Sequence, residues 1–353
     1  MNTKDLVEKF IKHSPGFYGD IDLKNIDRKH SDILNEAYKQ FNPEFSHDNE
    51  VNLRDWKGQT DYGVPAQLSI NSFKQNGIWH TVLRFAYRKL FKYGDEKSLH
   101  STLLDDIEVI KMIGGEALLT DNPVHLTPDV KNSFSIDGIT VNMRWLRYVY
   151  LLKRILDYKV LTDDAVWVDV GSFYGGLQGL VRKYNPKTRI VMVDFHHQLC
   201  RSFIYLSKMY PDAIHIFPSQ VSEYPNFTSM SEGSFIYVPA SDYEKLPEQS
   251  VDLFSNFFSF GEMKRDFFNI YMHSKLFLDS KNTYLVNRFV SAPFFEKTHD
   301  TDLSILDYLK SGKSPDYFDI FPMQHYILEK RELFGRNACR NTSSSYFEMI
   351  TSL

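Results

Sequence analysis

The sequence VWVDVGSFYGGLQGLVRKY, residues 166–184, decides the fold of this chain. Apolar side chains alternate around Asp169 and predict a buried strand, and the segment from Gly175 onward is compatible with a helix. Four of the 17 glycines lie between residues 171 and 179, so a glycine-rich loop joins the two. Two explanations stay open at this point. The glycines could allow a ligand to approach the backbone closely, or they could allow a tight turn that has only a structural role.

The alternation of strand and helix continues along the chain. Apolar runs predict strands at RIVMVDF, SFIYVPA, VDLFSNFFSF and NTYLVNRF, with helices at LCRSFIYLSKMY and EMKRDFFNIYMHSKLFL. The tail, HYILEKRELFGRNACRNTSSSYFEMIT, predicts two late strands, for which an antiparallel pair is one arrangement. The stretch HIFPSQVSEYPNFTSMSEG has no clear period. This pattern predicts an α/β fold with a Rossmann-like, mostly parallel sheet.

The first 140 residues have a different pattern. Helical spacing is evident in DLVEKFIKH, SDILNEAYKQF and GIWHTVLRFAYRKLFKYG, with polar loops between them. We interpret residues 1–140 as a mainly helical, substrate-facing cap and residues 141–353 as the sheet domain. Asp137-Gly138 predicts a hairpin turn, and residues 143–156 predict an amphipathic helix. Deletion of the cap is expected to spare cofactor binding and to abolish turnover.

Composition excludes several classes of protein. With 353 residues, 42% hydrophobic and 24% charged, the chain is typical of soluble globular proteins. A formal net charge of −4 gives no electrostatic reason to expect a nucleic-acid partner. Two cysteines, Cys200 and Cys339, are too few for a disulfide framework. The charged start is not a signal peptide and no apolar run reaches the ~18–20 residues of a membrane span, so we expect a cytoplasmic protein.

A second acidic residue favours a ligand at the glycine loop. In a doubly wound sheet, ligands bind beyond the carboxyl ends of the strands, at the switch in strand order. Asp194 ends the next predicted strand, roughly 20 residues after the loop, where a carboxylate accepts hydrogen bonds from a ribose diol. The glycines alone are equally compatible with a tight turn, but Asp194 points to an adenosine ligand.

Two residues of the loop discriminate between adenosine ligands. If Gly171 begins a dinucleotide fingerprint, Phe173 occupies the position where a second glycine admits the pyrophosphate. Asp169 would also repel a phosphate, whereas it suits the ammonium group of a methionine moiety. We therefore expect S-adenosylmethionine as cofactor, with S-adenosylhomocysteine as its product, rather than NAD.

The motifs together resemble the sugar O-methyltransferase family of class I methyltransferases. The resemblance covers roughly residues 145–295 and rests on DVGSFYGGL, VMVDF, VDLFSNFFSFGEM and YLVNRF. Its most specific part is Asn-x-x-Ser-x-x-Glu-Met, residues 256–263, followed by Asn287-Arg288. The chain departs from the family at Phe173, where a glycine is usual, and at DFHHQL, where a proline turn is usual. The resemblance implies methyl transfer to a sugar hydroxyl of a glycan or glycoconjugate, often in surface-polysaccharide biosynthesis.

Three sets of site residues follow from the motifs and the resemblance. Ser241-Asp242, followed by Leu246-Pro247, matches the place where an acidic residue of such methyltransferases caps the adenine amino group. The cofactor set is Asp169, Gly171, Ser172, Phe173, Gly175, Asp194, Phe195, Ser241, Asp242 and Asn256. The acceptor set is Ser259, Asn287 and Arg288, and the candidate general bases are Glu262, then His196. No metal is assigned.

Each base candidate has a plain structural alternative. Glu262 is placed at the presumed head of a helix, where a carboxylate is favourable for the helix dipole alone. His196 and His197 follow a strand, where a histidine is commonly a loop hydrogen-bonding group. The run His299-Asp300-Thr301-Asp302 could bind a divalent ion, although such clusters in loops are usually solvated.

Rival functions stay open beside methyl transfer to a sugar. The acceptor could be a non-sugar small molecule, the enzyme could be an NAD-linked oxidoreductase, or the domain could bind its ligand without catalysis. A homo-oligomer is possible. The sequence gives neither the acceptor nor the position methylated.

Overall fold

The computed structural model describes residues 3–17, 103–128, 133–291, 303–309, 313–323, 332–333, 336–337 and 346–352. The chain forms two compact units, one from residues 1–53, 151–321 and 344–353, the other from residues 54–150 and 322–343. The run His299 to Asp302, Cys339 and most of the predicted cap lie outside the described residues. The boundary at residue 140 therefore stays a prediction.

The strands are short, as the sequence pattern predicts. They are Phe134–Ile136 (β1), Ile139–Val141 (β2), Val166–Val170 (β3), Arg189–Asp194 (β4), His215–Ile216 (β5), Phe235–Pro239 (β6), Leu253–Phe257 (β7), Asn282–Arg288 (β8), Val290–Ser291 (β9), Leu303–Ser304 (β10), Tyr317–Ile320 (β11), Glu332–Leu333 (β12), Arg336–Asn337 (β13) and Tyr346–Ser352 (β14).

The helices alternate with the strands of the sheet. They are Thr3–Lys12 (α1), residues 103–112 (α2), Glu116–Asp121 (α3), Met143–Asp157 (α4), Gly176–Tyr184 (α5), His196–Met209 (α6), Pro218–Val221 (α7), Arg265–Met272 (α8) and Lys275–Leu278 (α9). Short 3₁₀ turns cover Val124–Leu126, Phe227–Ser229, Ala240–Lys245, Phe260–Glu262 and Ile305–Tyr308. No helix of the described residues is long and apolar enough to cross a bilayer.

The main sheet has eight strands in the order β11-β14-β8-β7-β3-β4-β6-β5. Strands β3 to β8 run parallel, and β14 is inserted antiparallel between β8 and β11. The chain moves outward from β3 through β4 to the edge strand β5, comes back one place to β6, and then crosses to the other side of β3 at β7. The switch in strand order therefore lies at the carboxyl ends of β3 and its neighbours. The sheet is mostly parallel and Rossmann-like, so the predicted α/β fold class is confirmed.

Burial explains why the central strands are apolar throughout. All five residues of β3, β6 and β7 are buried, as expected for parallel strands covered on both faces. Val168, Val191, Ile236 and Phe254 lie in one apolar cluster that also includes Phe268 of α8. The carboxyl ends of these strands are thereby held in fixed positions.

The prediction of one continuous helix over EMKRDFFNIYMHSKLFL is wrong. The segment contains a 3₁₀ turn, then α8, then a break at His273 and Ser274 before α9. Ser274 caps the second helix, because its Oγ accepts a hydrogen bond from the backbone N of Phe277 at 3.2 Å. The tail does contain an antiparallel pair, β12 with β13, and a third strand, β14, which joins the main sheet between β8 and β11.

The second unit confirms two local predictions. Strands β1 and β2 form a hairpin whose turn residues, Asp137 and Gly138, have φ values of +49° and +79°. Asn142 accepts a hydrogen bond from the backbone N of Trp145 at 2.8 Å, which starts α4. Burial raises the pKa of Asp106 in α2 to about 7, against the opposing effect of the Arg147 charge.

The first helix packs on the unit that contains the sheet. Leu6, Val7 and Phe10 of α1 are buried, and α1 contacts α6. The ring of Phe10 lies 5.8 Å from that of Phe203 and 5.7 Å from that of Tyr237. Residues 3–17 are therefore an integral part of the sheet unit.

Candidate functional site

The glycine loop follows β3 and has three residues with positive φ. Gly171 and Gly175 have φ values of +78° and +85°, and Phe173 has a φ of +55°. A Cβ atom on Gly171 would lie 2.2 Å from Oγ of Ser259, so the approach of the segment after β7 requires a glycine there. Gly175 precedes α5, where its left-handed conformation starts the helix. The loop is thus both tight and closely packed.

Asp169 lies beneath the loop and is held by internal partners. One carboxylate oxygen accepts a hydrogen bond from Nε2 of Gln178 and the other from Oγ of Ser255, both at 2.5 Å. Ser255 in turn accepts a hydrogen bond from Nε1 of Trp167 at 2.7 Å. Burial raises the pKa of Asp169 to about 8. The carboxyl group braces the base of the loop, and its direct contact with a ligand stays a prediction.

Asp194 connects the loop to the start of α6. Its carboxylate accepts hydrogen bonds from the backbone N of Phe173 at 2.7 Å and of Phe195 at 2.8 Å. Burial raises its pKa to about 7, against the opposing effect of these two hydrogen bonds. A carboxylate has about four acceptor positions, so each oxygen retains capacity for a further donor. Contact of Asp194 with a ribose stays a prediction.

Ser241 and Asp242 lie at the same edge of the sheet as Asp194. Strands β4 and β6 pair with Asp194 opposite Pro239, and the 3₁₀ turn Ala240–Lys245 follows directly. Asp242 is half-buried and accepts a hydrogen bond from Nζ of the exposed Lys245 at 2.6 Å. The structure thus brings the predicted ribose and adenine residues to adjacent strand ends.

Asn256 is the centre of a buried amide network. Its Nδ2 donates to the carbonyl O of Val170 at 2.7 Å and to Oγ of Ser259 at 2.6 Å. Its Oδ1 accepts from the backbone N of Phe260 at 3.0 Å and from Nδ2 of Asn287 at 2.9 Å. These bonds join the carboxyl ends of β3, β7 and β8. Asn256, Ser259 and Asn287 therefore shape the floor of the site, and their contact with cofactor or acceptor stays a prediction.

Arg288, the third residue of the acceptor set, lies on an aromatic group at the end of β8. Its Nε donates to Oη of Tyr346 at 3.3 Å, and its guanidinium lies 5.7 Å from the centre of that ring. The ring of Phe258, half-buried and with a φ of +72°, packs at 5.3 Å against both Tyr346 and Phe321. Arg288 at the end of β8 and Phe258 just after β7 thus both pack against Tyr346 at the start of β14, and contact of Arg288 with an acceptor stays a prediction.

The structure corrects the placement of the histidines. His196 and His197 are the first two residues of α6 rather than loop residues, and both are buried. Nδ1 of His196 lies 2.7 Å from Oγ of Ser14. Burial lowers the pKa of His196 to about 4 and lowers that of His197 well below its usual value. The lowered pKa weakens the affinity of His196 for a proton, and its Nδ1 is engaged by Ser14, so His196 is a poor candidate for the general base. His273 is exposed at the end of α8.

Glu262 is also placed differently from the expectation. It ends the 3₁₀ turn Phe260–Glu262 and is separated from the first residue of α8, Arg265. Its backbone therefore lies outside the first turn of α8, rather than at the head of that helix. Its backbone lies after β7, at the edge that carries the glycine loop.

Several polar groups of the site were not identified in the sequence. Ser255 and Gln178 hold Asp169, and Ser14 holds His196. Ser255 belongs to an apolar strand, and Ser14 lies more than 150 residues upstream of the loop. No local pattern in the sequence distinguishes these residues from other serines and glutamines.

One buried group of the loop is free for a ligand. Oγ of Ser172 is buried and has no hydrogen-bond partner among the described residues. A buried hydroxyl without a partner is costly, so such a group indicates a place where a ligand or water supplies the missing bond. Among the residues that the structure describes, no cluster of His, Cys, Asp and Glu could hold a metal ion.

A separate groove of about 610 Å³ lies between the 3₁₀ turn after β6 and helices α8 and α9. Its walls include Tyr243, Leu246 and Ile270, and none of the predicted site residues. Tyr243 and Ser274 share a hydrogen bond of 2.6 Å at its side. The groove is therefore distinct from the edge that carries the glycine loop.

No family model matches the sequence, and no curated protein matches it significantly.

Several solved structures show a distant likeness to this chain, among them a methyltransferase domain. The methyltransferase domain of bacterial CtHen1-CN is 14% identical, with 60% of this chain and all of that domain covered and a TM-score of 0.35. TehB from Haemophilus influenzae is 10% identical, with 56% and 61% covered and a TM-score of 0.36. TrmK from M. capricolum, solved with S-adenosylhomocysteine, is 12% identical, with 57% and 67% covered and a TM-score of 0.32. These values are low, so the fold class is assigned from the strand order itself.

Proposed function

We propose that this chain is an S-adenosylmethionine-dependent methyltransferase. The main support for the proposal is that three features lie side by side at the carboxyl ends of neighbouring strands. The glycine loop, Asp194 and Asp242 follow β3, β4 and β6, which are adjacent strands at the switch in strand order. An adenosine ligand bound across that edge would meet them in the order methionine, ribose and adenine.

The residues present fit such a cofactor. Ser172 supplies a buried hydroxyl without a partner among the described residues, within the loop that would hold the methionine moiety. Asp194 would accept hydrogen bonds from the ribose, and Asp242 would face the adenine amino group. Phe195 offers an aromatic face directly after Asp194, half-buried and parallel to the ring of His197 at 6.0 Å.

The loop is less suited to a dinucleotide. Phe173 stands where a pyrophosphate would need a glycine, and its backbone N is already bonded to Asp194. Its ring packs edge-on against Tyr174 at 4.9 Å, which fixes the bulky side chain close to the loop. These contacts support the methyl donor over NAD.

The chemistry divides between the cofactor and the chain. When bound, the cofactor would supply a sulfonium methyl group whose carbon an acceptor oxygen can attack in line, with the thioether of S-adenosylhomocysteine as the leaving group. The residues of the chain then have three tasks, which are to orient the acceptor, to exclude water and to remove the proton of the acceptor hydroxyl. We assign the last task to the carboxylate of Glu262, which belongs to the segment after β7.

We further propose that the acceptor is a sugar hydroxyl of a glycan or glycoconjugate. The support for this step is the sequence pattern Asn256-x-x-Ser259-x-x-Glu262-Met263 with Asn287-Arg288. Within that set, Ser259 and Asn287 are engaged in the amide network, so Arg288 is the residue that we expect to contact the acceptor. A guanidinium binds phosphate or carboxylate groups through two parallel hydrogen bonds, and such anions are common on activated sugars.

Calorimetric titration with S-adenosylhomocysteine and, separately, with NAD tests the cofactor. We expect saturable binding of S-adenosylhomocysteine, weakened at least tenfold by Asp194→Asn, since a carboxylate hydrogen bond contributes roughly 1.5–3 kcal/mol. Asp252→Asn is the matched control, because Asp252 also accepts a backbone hydrogen bond, from Val166 at 2.8 Å, but at the opposite end of the strands. Binding of NAD alone, or of neither ligand, would contradict the proposal.

Transfer of a labelled methyl group tests the acceptor. Nucleotide sugars and glycans, non-sugar small molecules and RNA are offered in separate reactions. Methylation of a sugar supports the proposed acceptor. Methylation of one of the other compounds would show that the sugar acceptor is wrong and leave the proposed methyltransferase activity standing. If S-adenosylhomocysteine binds but no acceptor is methylated, and Glu262→Gln changes nothing, the chain is a ligand-binding protein without catalysis.

A further inference from the structure

Residues 13–17 lie along the edge of the sheet that carries the proposed cofactor site. The carbonyl O of His13 accepts a hydrogen bond from the backbone N of Ser219 at 3.1 Å, just beyond the carboxyl end of β5. Oγ of Ser14 lies 2.7 Å from Nδ1 of His196, just beyond the carboxyl end of β4. The segment therefore crosses the strand ends at which the ribose and adenine are expected.

The position of this segment is fixed by packing that involves no ligand. Phe10 of α1 is fully buried, and its ring contacts the rings of Phe17, Phe203, Phe217 and Tyr237 at 5.7–6.3 Å. Burial of an aromatic side chain of this kind is worth several kcal/mol of stability. The helix thus anchors the residues that follow it.

His196 lies between this segment and the adenine side of the site. The ring of Phe17 packs edge-on against its imidazole, with centres 6.0 Å apart. Gly16, with a φ of +89°, borders the same ring, since a Cβ atom on it would lie at van der Waals distance, 3.7 Å, from Nε2. The charge of Asp242 acts on the same imidazole ring, whose pKa burial lowers to about 4. Ser14 and Phe17 therefore both contact the imidazole of His196, and Asp242, a predicted adenine residue, is near enough for its charge to act on the same ring.

We propose that residues 14–17 complete the adenosine end of the cofactor site, with Phe17 and the Ser14–His196 pair forming its wall. Ser14 is a positioning residue, since it acts through His196, and His196 borders the ribose and adenine residues without serving as a base. The inference rests on the proposed function. It differs from the interpretation of the whole N-terminal region as an acceptor cap, because loss of the first 17 residues would weaken cofactor binding.

The test compares S-adenosylhomocysteine affinity in full-length variants by calorimetry. Loss of a buried hydrogen bond is expected to weaken binding roughly fivefold in Ser14→Ala, and Ser14→Thr, which keeps the hydroxyl, is expected to restore it. Ser280→Ala is the matched control. Ser280 is fully buried and donates a 2.7 Å hydrogen bond to the carbonyl O of Phe277, but it lies at the amino end of β8. Its variant should bind with unchanged affinity.

Amide hydrogen exchange of the unmodified protein supplies a second measurement that needs no variant. If residues 14–17 strengthen binding of S-adenosylhomocysteine, the bound ligand should in turn stabilise these residues and slow their amide exchange, because coupling between two sites is reciprocal. Exchange around Ser280, which lies at the opposite end of the strands, should stay unchanged. Failure of the unmodified protein to bind S-adenosylhomocysteine would overturn the proposed function and this inference with it. Normal binding in Ser14→Ala, with no change in exchange at residues 14–17, would overturn this inference alone.

Discussion

Gly171 has a φ of +78°, and the space that a side chain would need there is occupied by Oγ of Ser259. Ser259 is held in that place by Nδ2 of Asn256, which also binds the carbonyl O of Val170. The glycine is therefore required twice, once by its backbone conformation and once by a neighbour 88 positions further along the sequence. The glycine at position 171 is thus required by the packing of the loop itself, whether or not a ligand is bound.

A pair of alanine substitutions separates these two requirements. Gly138 has nearly the same φ as Gly171, +79°, but no atom lies within 4 Å of the Cβ that an alanine would add there. Gly138→Ala should therefore lower the unfolding free energy by roughly 1–2 kcal/mol, through backbone strain alone. Gly171→Ala adds a steric clash and should cost about 2–5 kcal/mol. Urea denaturation measures both values. Addition of Ser259→Gly should recover part of the larger loss, and equal losses in the two single variants would contradict the steric explanation.

At the scale of elements, β14 is inserted between β8 and β11 with a charged residue facing inward. Glu348 of β14 is fully buried, and its Oε1 accepts hydrogen bonds from Oη of Tyr284 at 2.6 Å and from Nε of Arg154 at 3.3 Å. The guanidinium of Arg154 also lies 4.2 Å from the centre of the Tyr317 ring. The group joins β14, β8, β11 and α4, and so it fixes the antiparallel strand in its register.

Removal of the buried carboxylate should be costly. Glu348→Ala leaves the charge of Arg154, itself only 12% exposed, without this partner and is expected to lower the unfolding free energy by about 3–5 kcal/mol. Glu8→Ala is the control, since Glu8 and Lys4 form an exposed pair on α1 and its loss should cost less than about 1 kcal/mol. Chemical denaturation of both variants decides the matter. A similar small loss in each would mean that Glu348 does not fix the strand.

At the scale of the whole molecule, burial of ionisable groups gives stability a predictable pH dependence. The pKa of Asp169 is raised to about 8, and those of Asp106 and Asp194 to about 7, from an ordinary value of 3.8. The folded state therefore retains protons that the unfolded chain has lost. Their contribution to stability is complete below about pH 4 and is lost as the pH rises through 7–8.

Two histidines, one buried and one half-buried, act in the opposite direction at lower pH. Burial lowers the pKa values of His196 and His215 from 6.5 to about 4, so their contribution is present above pH 6.5 and is lost as the pH falls toward 4. Between pH 6.5 and 9 the carboxyl groups dominate, and we expect the unfolding free energy to fall by at least about 1 kcal/mol. Denaturant titrations at several pH values measure this. Asp169→Asn should flatten the slope, and stability that rises toward pH 9 would refute the explanation.

Local patterns in the sequence predicted much of the fold. The spacing of apolar residues predicted seven elements correctly, namely β3, β4, β6, β7, β8, α5 and α6. A strand buried on both faces is a short apolar run, and a helix buried on one face has apolar residues every three or four positions, so a few consecutive residues are enough to recognise either. The glycine loop and Asp194 were found for the same reason, since their spacing is set within a single strand–helix–strand unit. The break at Ser274 was missed because one serine cap changes few residues of an otherwise helical pattern.

The sequence by itself thus determined the α/β class, the order of its elements and the three features at the strand ends that indicate an adenosine ligand. Only the tertiary structure decided that β14 enters the sheet beside β8, that Asn256, Ser259 and Asn287 bind one another, and that Ser14 meets His196 across 182 positions. The physical reason is that periodicity and turn chemistry act over a few residues. A contact between distant segments depends on strand register and on the shapes that packing brings together, and neither is recorded in any local stretch of the chain.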